Sequence, residues 1–187
     1  FPDQGVDPVL IASELVVAAQ SIISRNMRPT QTAALSITQI HAGDAYNVIP
    51  GTARLSGTVR TLDHKSMQKI ERRLGELVNG ICMAHGATGE VDFRVNFHPV
   101  LNDQHVTEIA AGVCSELVGA DKVHRNGPAS TGSEDFSFMS EVVPSCYINL
   151  GNGADSHSLH NHDYDFNDEL LPIGRDLWVN LVRERLP

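Results

Sequence analysis

The 187 residues are 41% hydrophobic and 20% charged, which excludes disorder and leaves apolar material for one or two small cores. With 14 Lys+Arg against 23 Asp+Glu the formal net charge is −9, and the basic residues are scattered or paired with acids, so nucleic acid and anionic membrane are poor partners. The apolar run over residues 9–23 is interrupted by Ser13, Glu14, Gln20 and Ser21, and no other stretch approaches the roughly 20 apolar residues of a membrane-spanning helix.

Asp7 stands where it can cap a helix, with Pro8 at the first position. Val9, Leu10, Ala12, Leu15, Val16, Ala19 and Ile22 recur at helical spacing until Arg28-Pro29 stops the pattern. Residues 33–40 alternate apolar with polar through Leu35 and Ile37, with Gln39 out of phase, and residues 53–61 repeat the alternation with Leu55 and Val59. Two strands are predicted, joined by HAGDAYNVIPG, whose Gly43, Asp44, Pro50 and Gly51 predict a structured connection. Asp63 caps a second helix with Met67, Ile70, Leu74, Leu77, Val78 and Ile81 on one face, closed by His85-Gly86. Val91, Phe93, Val95 and Phe97 then alternate with Asp92, Arg94 and Asn96, which predicts a half-buried strand ended by Pro99. The order α-β-β-α-β is that of a ferredoxin-like βαββαβ sandwich without its first strand, its helices covering one face of an antiparallel sheet.

Beyond Leu101-Asn102-Asp103 the pattern changes to a helix near 106–117, a Gly/Ser-rich stretch, a strand near 145–150, a His-rich loop and a last helix from about 168 to 185. A domain boundary near Asn102 is predicted, separating residues 1–102 from 103–187. The second piece has one strand without a partner of its own and should complete something else. The chain opens on Phe1-Pro2-Asp3-Gln4-Gly5, without an initiator Met or a targeting pattern, and reads as a cut end. Cys82, Cys114 and Cys146 are odd in number and lack CxxC spacing. They suggest neither a disulfide framework nor a thiolate zinc site, and a reducing cytoplasm fits them.

Three groups of residues carry chemistry. His157, His160 and His162 cluster in DSHSLHNHDYDFND amid Asp155, Asp163, Asp165 and Asp168. Imidazole and carboxylate suit zinc, manganese or nickel, and a solvated loop is the alternative. The amide of Asn47 and the guanidinium of Arg60, on a turn and the strand after it, suit a carboxylate ligand, because the guanidinium fork donates two parallel hydrogen bonds to two oxygens. A purely structural role is the alternative for both. In Thr131-Gly132-Ser133-Glu134-Asp135-Phe136 the backbone N–H groups of Gly132 and Ser133 can hold an anion; equally, Ser133 can cap a helix that packs Phe136 and Met139 inward. No triad spacing and no GxSxG favours a serine hydrolase.

Three segments in the same order, GVDPV, GDAYNVIPGTARLSGTVRT, and GSEDFSFM with LHNHDYDFND, together resemble the amidohydrolase branch of the aminoacylase and carboxypeptidase metallopeptidases, which includes hippurate hydrolases and indole-acetyl-amino-acid hydrolases. The resemblance covers essentially the whole chain. It implies an α/β catalytic domain with two divalent metal ions (zinc, manganese or nickel), interrupted by a ferredoxin-like lid that also makes the homodimer contact. Residues 1–102 match the lid and 103–187 the C-terminal segment of the catalytic domain. By the same resemblance His160 is the last metal ligand, Asn47 and Arg60 grip the substrate's free carboxylate and often reach the partner subunit's site, and Gly132 and Ser133 border the substrate. His162 departs from the family, which commonly has Pro there. Family members are much longer chains, so the remaining ligands, the general-base Glu and a lid His are expected outside this sequence, and no metal is expected to bind this piece tightly.

The implied reaction is hydrolysis of an N-acyl amino acid or related small amide, R–CO–NH–CHR′–COO⁻. Two rivals stand beside it. One is a non-catalytic dimerisation and binding module, since one ligand does not hold a hydrolytic metal and an open sheet edge invites pairing. The other is an unrelated single-metal protein using His157, His160 and His162 together.

Overall fold

The computed structural model describes residues 1–186. They divide into two compact units, Phe1–Pro99 with Ser130–Ser133, and Val100–Ala129 with the residues from Glu134 onward.

In the first unit, Asp7 Oδ1 accepts from the N–H groups of Val9 at 2.9 Å and Leu10 at 3.4 Å, so helix α1 (Pro8–Ser21) starts where a capping carboxylate and a proline meet. The helix widens into a π-helical turn over Ile22–Asn26 before Arg28-Pro29. By length and composition Pro8–Asn26 is apolar enough to cross a membrane. Its buried residues Ile11, Ala12, Leu15, Ala19 and Ile22 nevertheless face a protein core.

Strands β1 (Ala33–Ala42) and β2 (Ala53–Thr61) pair antiparallel, from Ala33 opposite Thr61 to Ala42 opposite Ala53. The register shifts between Ile37 and Gln39, a bulge at the place where Gln39 falls out of phase in the sequence. Gly57 lies opposite Ile37, and a Cβ built on it would stand 2.1 Å from the Ser36 carbonyl oxygen. The two backbones approach so closely there that any side chain must push the bulged strand away. Gly57→Ala is expected to destabilise the unit by about 1–3 kcal/mol, as overpacking does, and urea unfolding checks it.

Helix α2 (His64–Ala84) is capped by Asp63, whose Oδ1 accepts from Ser66 N–H at 2.8 Å and whose Oδ2 accepts from the Ser66 hydroxyl at 2.6 Å. Gly86, at φ +70°, lets the chain turn away at the other end. Helices α1 and α2 cover the same face of the hairpin. Ala19, Ile22, Met27, Leu35 and Ile70 form one cluster with Leu74, Leu77 and Val59 against it, while Ile11, Leu15 and Cys82 form another with Val78, Ile81 and Leu55. The hydrogen bonds from Ser66 hold the Asp63 carboxyl below the ordinary carboxylate range. A depressed folded-state value means that the cap's contribution is complete above the unfolded pKa of about 3.9 and is lost as pH falls through the lower folded value. Asp63→Ala should therefore cost about 1 kcal/mol at pH 7 and progressively less below pH 4, measured by urea unfolding at both pH values.

Residues 91–97 correct the sequence-based expectation. Among the described residues they join no ladder, and the sheet is two-stranded. Alternation marks a strip with one apolar side, whereas a strand also needs a neighbour presenting free N–H and C=O groups. Val91, Val95 and Phe97 are about 40% exposed, and Asp92 and Arg94 pair with each other at 2.5 Å.

In the second unit α3 (Gln104–Val118) is capped by Asp103 Oδ1, which accepts from Val106 N–H at 2.9 Å. It packs on α5 (Leu170–Arg185) around Ala110, Ala111, Val113 and Leu177. The expected strand at 145–150 is likewise absent from any ladder. The Asn102 side chain imitates a strand partner instead, donating to the Tyr147 carbonyl at 3.0 Å and accepting from Tyr147 N–H at 2.8 Å, while Asp103 N–H donates to the Ser145 carbonyl at 2.8 Å. Among the described residues the short helix α4 (Phe136–Ser140) has no side-chain cap. Ser137 is its buried residue and Met139 is exposed, the reverse of the inward-facing Met139 expected from sequence.

Candidate functional site

Arg60 projects from β2, next to the ladder's Ala33–Thr61 end, and is exposed. Its Nη1 donates to the Ser133 hydroxyl. This contact brings together two of the four residues assigned to substrate binding, although they lie far apart in sequence. Arg72, Arg73, Arg94, Arg125 and Arg175 each sit in an ion pair, whereas among the described residues Arg60 meets no carboxylate. In an acidic chain, a guanidinium held only by a neutral hydroxyl keeps its fork available to an incoming acid.

In the loop that carries Ser133, one of the two backbone N–H groups considered for an anion is already engaged. Gly132 N–H already donates to the Ser130 hydroxyl at 3.1 Å, and Ser133 serves Arg60 and does not cap α4.

Asn47 lies in the exposed connection between the strands, among Tyr46, Val48 and Ile49, all of which are exposed. That connection leaves the ladder at its Ala42–Ala53 end, the end opposite Arg60. At about 3.3 Å per residue, the strand between position 53 and Arg60 spans roughly 23 Å. The ladder thus leads the connection that bears Asn47 away from Arg60, and the hairpin register by itself does not bring the two residues of one chain together.

In the second unit His160 lies in the loop over residues 152–167, which contains neither helix nor strand. Asn161 N–H donates to the Ser158 carbonyl at 3.1 Å and closes a β-turn. His160 occupies the third position of that turn with φ +68°, the only non-glycine residue at positive φ among those described. The left-handed region there favours Gly or Asn. A histidine held in it costs of order 1–3 kcal/mol, and such strain persists where function demands the residue. Its side chain is exposed. His162 is exposed too and pairs with Asp163 at 3.2 Å. The ligand atoms of His157, His160 and His162 do not gather within 4.8 Å of one another, which argues against a single ion held by all three.

An exposed imidazole fits zinc, manganese or nickel, but it is one ligand where such ions take four or more. The other ligands of any ion at His160 must come from elsewhere.

Two asparagines escaped the sequence reading. Asn102 ties down Tyr147, whose phenol is pushed above its ordinary pKa first by burial and then by the Glu134 carboxylate of the SEDF stretch. Asn152 joins the two ends of the histidine loop, accepting from Asn167 N–H at 2.8 Å and donating to the Asp165 carbonyl at 2.7 Å. The one local signal was the flanking Gly151 and Gly153, which frame an Asn at a turn.

A family model described as Peptidase family M20/M25/M40 matches residues 4–184. A hippurate hydrolase of Campylobacter jejuni is 34% identical over 99% of this chain and 48% of its own length. An IAA-amino acid hydrolase of Arabidopsis thaliana is 28% identical over 100% of this chain and 44% of its own. Among solved structures, a dinuclear metal binding peptidase of Bacillus subtilis superposes with TM-score 0.81 at 24% identity, covering 99% of this chain and 48% of that one. The chain thus has the α/β fold of about half of such a structure, and it spans about half the length of the curated relatives it matches.

Proposed function

The chain belongs to peptidase family M20/M25/M40, and from that premise we propose that it supplies the substrate clamp and one metal ligand of an enzyme that hydrolyses the amide bond of N-acyl amino acids. Relatives that act on amino-acid conjugates, a hippurate hydrolase and an IAA-amino acid hydrolase, support this substrate class. The observation that carries the reading is Arg60, exposed on a strand, oriented by a serine hydroxyl and without a carboxylate partner among the described residues. It would take the substrate's carboxylate in bidentate fashion, with Ser133 at the edge of the same subsite.

In this account residues 1–102 form the lid and 103–187 the last part of the catalytic domain, with His160 as the final metal ligand. When bound, two divalent ions polarise the amide carbonyl and lower the pKa of an attacking water. This chain's residues hold the substrate's acid end in place, which fixes the amide for attack.

The connection that bears Asn47 leaves the end of the hairpin opposite Arg60, an arrangement that suits two subunits each contributing one of the pair to a substrate. We therefore assign a homodimer in which the loop tip bearing Asn47 enters the partner's site. The exposed Tyr46, Val48 and Ile49 around it suit burial against a second copy. Three free cysteines agree with a reducing cytoplasm.

The test is a substrate panel on the whole enzyme loaded with zinc, manganese or nickel. Turnover of N-acyl amino acids, with little turnover of the same compounds esterified at the carboxylate, is expected. Equal turnover of acids and esters would remove the clamp. The alternative, a binding and dimerisation fragment without activity of its own, applies to the isolated piece, which carries one of the ligands that a two-ion centre needs.

A further inference from the structure

We propose that Asn152 is the positioning residue that presents His160 to its metal, a role that rests on the metal-ligand reading of His160 given above. The loop over residues 152–167 has no backbone ladder to hold its shape, and loops of that kind are fixed by their own side chains. One amide ties the two ends of the loop together. Asn152 Oδ1 accepts from Asn167 N–H at 2.8 Å, and Asn152 Nδ2 donates to the Asp165 carbonyl at 2.7 Å and to the Ser156 hydroxyl at 2.6 Å. Ser156 in turn donates to the His157 carbonyl at 3.0 Å, so the network extends from both ends of the loop to within three residues of His160.

Only an amide offers an acceptor and two donors from one planar group. A carboxylate would face the Asp165 carbonyl with no proton to give, and an alkyl side chain would leave both the Asn167 N–H and the Asp165 carbonyl without this partner. On the far side, Asn167 Oδ1 accepts from Glu169 N–H at 3.0 Å and joins the frame to the start of α5.

His160 itself is held at a positive φ by the turn around it, and among the described residues its exposed imidazole has no side-chain hydrogen bond that would aim it. Its direction therefore depends on the frame that Asn152 closes. Partners bonded directly to a ligand set metal affinity over about 10–100-fold, and a frame that acts through the backbone belongs at the lower end of that range.

The experiment compares Asn152→Ala, Asn152→Asp and His160→Gly in the whole enzyme. It reads zinc affinity by chelator competition, amide hydrogen exchange, and kcat and KM at saturating zinc. Asn152→Ala is expected to weaken one zinc ion by about 10-fold, to speed exchange only within residues 153–166, and to recover kcat as zinc is raised with KM unchanged. Asn152→Asp should behave like Asn152→Ala, because the lost donors matter more than the retained acceptor. If Asn152→Ala speeds loop exchange while zinc affinity stays at the parent value, and His160→Gly still loses the ion, the positioning role is wrong and the ligand reading survives. If zinc affinity is untouched in His160→Gly as well, the reading beneath the proposal is wrong. Faster exchange throughout α3 and α5 would make Asn152 a general folding residue and overturn the proposal.

Discussion

Arg60→Ala in the whole enzyme is expected to raise KM for N-acyl amino acids by about 100-fold while leaving KM for their carboxyl esters within a few-fold of the parent. A hydrogen bond to a charged group contributes about 1.5–3 kcal/mol, and each 1.4 kcal/mol is tenfold, so loss of a bidentate fork falls in the range of two decades. Arg60→Lys should recover little of this, since an ammonium keeps the charge without the fork. Ser133→Ala removes the hydroxyl that orients Nη1 and leaves the charge in place, so its effect should be smaller and in the same direction. Steady-state kinetics on matched acid and ester substrates distinguishes these cases. A loss shared equally by acid and ester would mean that Arg60 supports the fold and not the carboxylate.

His160→Gly should separate stability from activity. The histidine sits at φ +68° in a turn that favours glycine, so replacing it relieves strain of order 1–3 kcal/mol, offset by the roughly 0.5–1 kcal/mol of extra chain entropy that glycine carries. Because the side chain is exposed, little packing is lost. Unchanged or higher Tm is expected together with a fall in kcat of at least about 10³-fold, from the several kcal/mol that a metal centre contributes. His160→Ala keeps the strained backbone and should match the loss of activity without the gain in Tm. A Tm several degrees lower for His160→Gly would mean that the imidazole holds the loop and is not available to a metal.

Much of the first unit is written locally in the chain. Asp7 and Asp63 each stand one residue before a helix and accept from N–H groups of its first turn, and a capping carboxylate is visible without any tertiary information. Gln39 out of phase marks the bulge. The two strands that do not form share one cause. Residues 91–97 and 145–150 have the composition of strands, but pairing depends on what lies alongside, and the sequence does not state that. In α4, five residues are too few to establish a period, so Ser137 and not Met139 is buried.

Site residues were legible by type but not by arrangement. Arg60 and His160 stand out through the motifs around them. The Arg60 to Ser133 contact spans 73 positions, and the Asn152 frame uses an asparagine that alone looks like ordinary turn chemistry. The separation of Asn47 from Arg60 follows only from the hairpin register, in which a spacing of thirteen along the chain becomes opposite ends of a ladder.

Subunit complementation tests most directly the claim that one substrate is gripped by Asn47 of one subunit and Arg60 of the other. Asn47→Ala and Arg60→Ala enzymes, each impaired alone, are unfolded together and reassembled at equal ratio. In half of the resulting dimers one site then receives both intact residues, so about a quarter of parental activity should return. Activity no higher than the average of the two separate variants would place both residues in the site of a single subunit, or place one of them in no site, and would contradict the account.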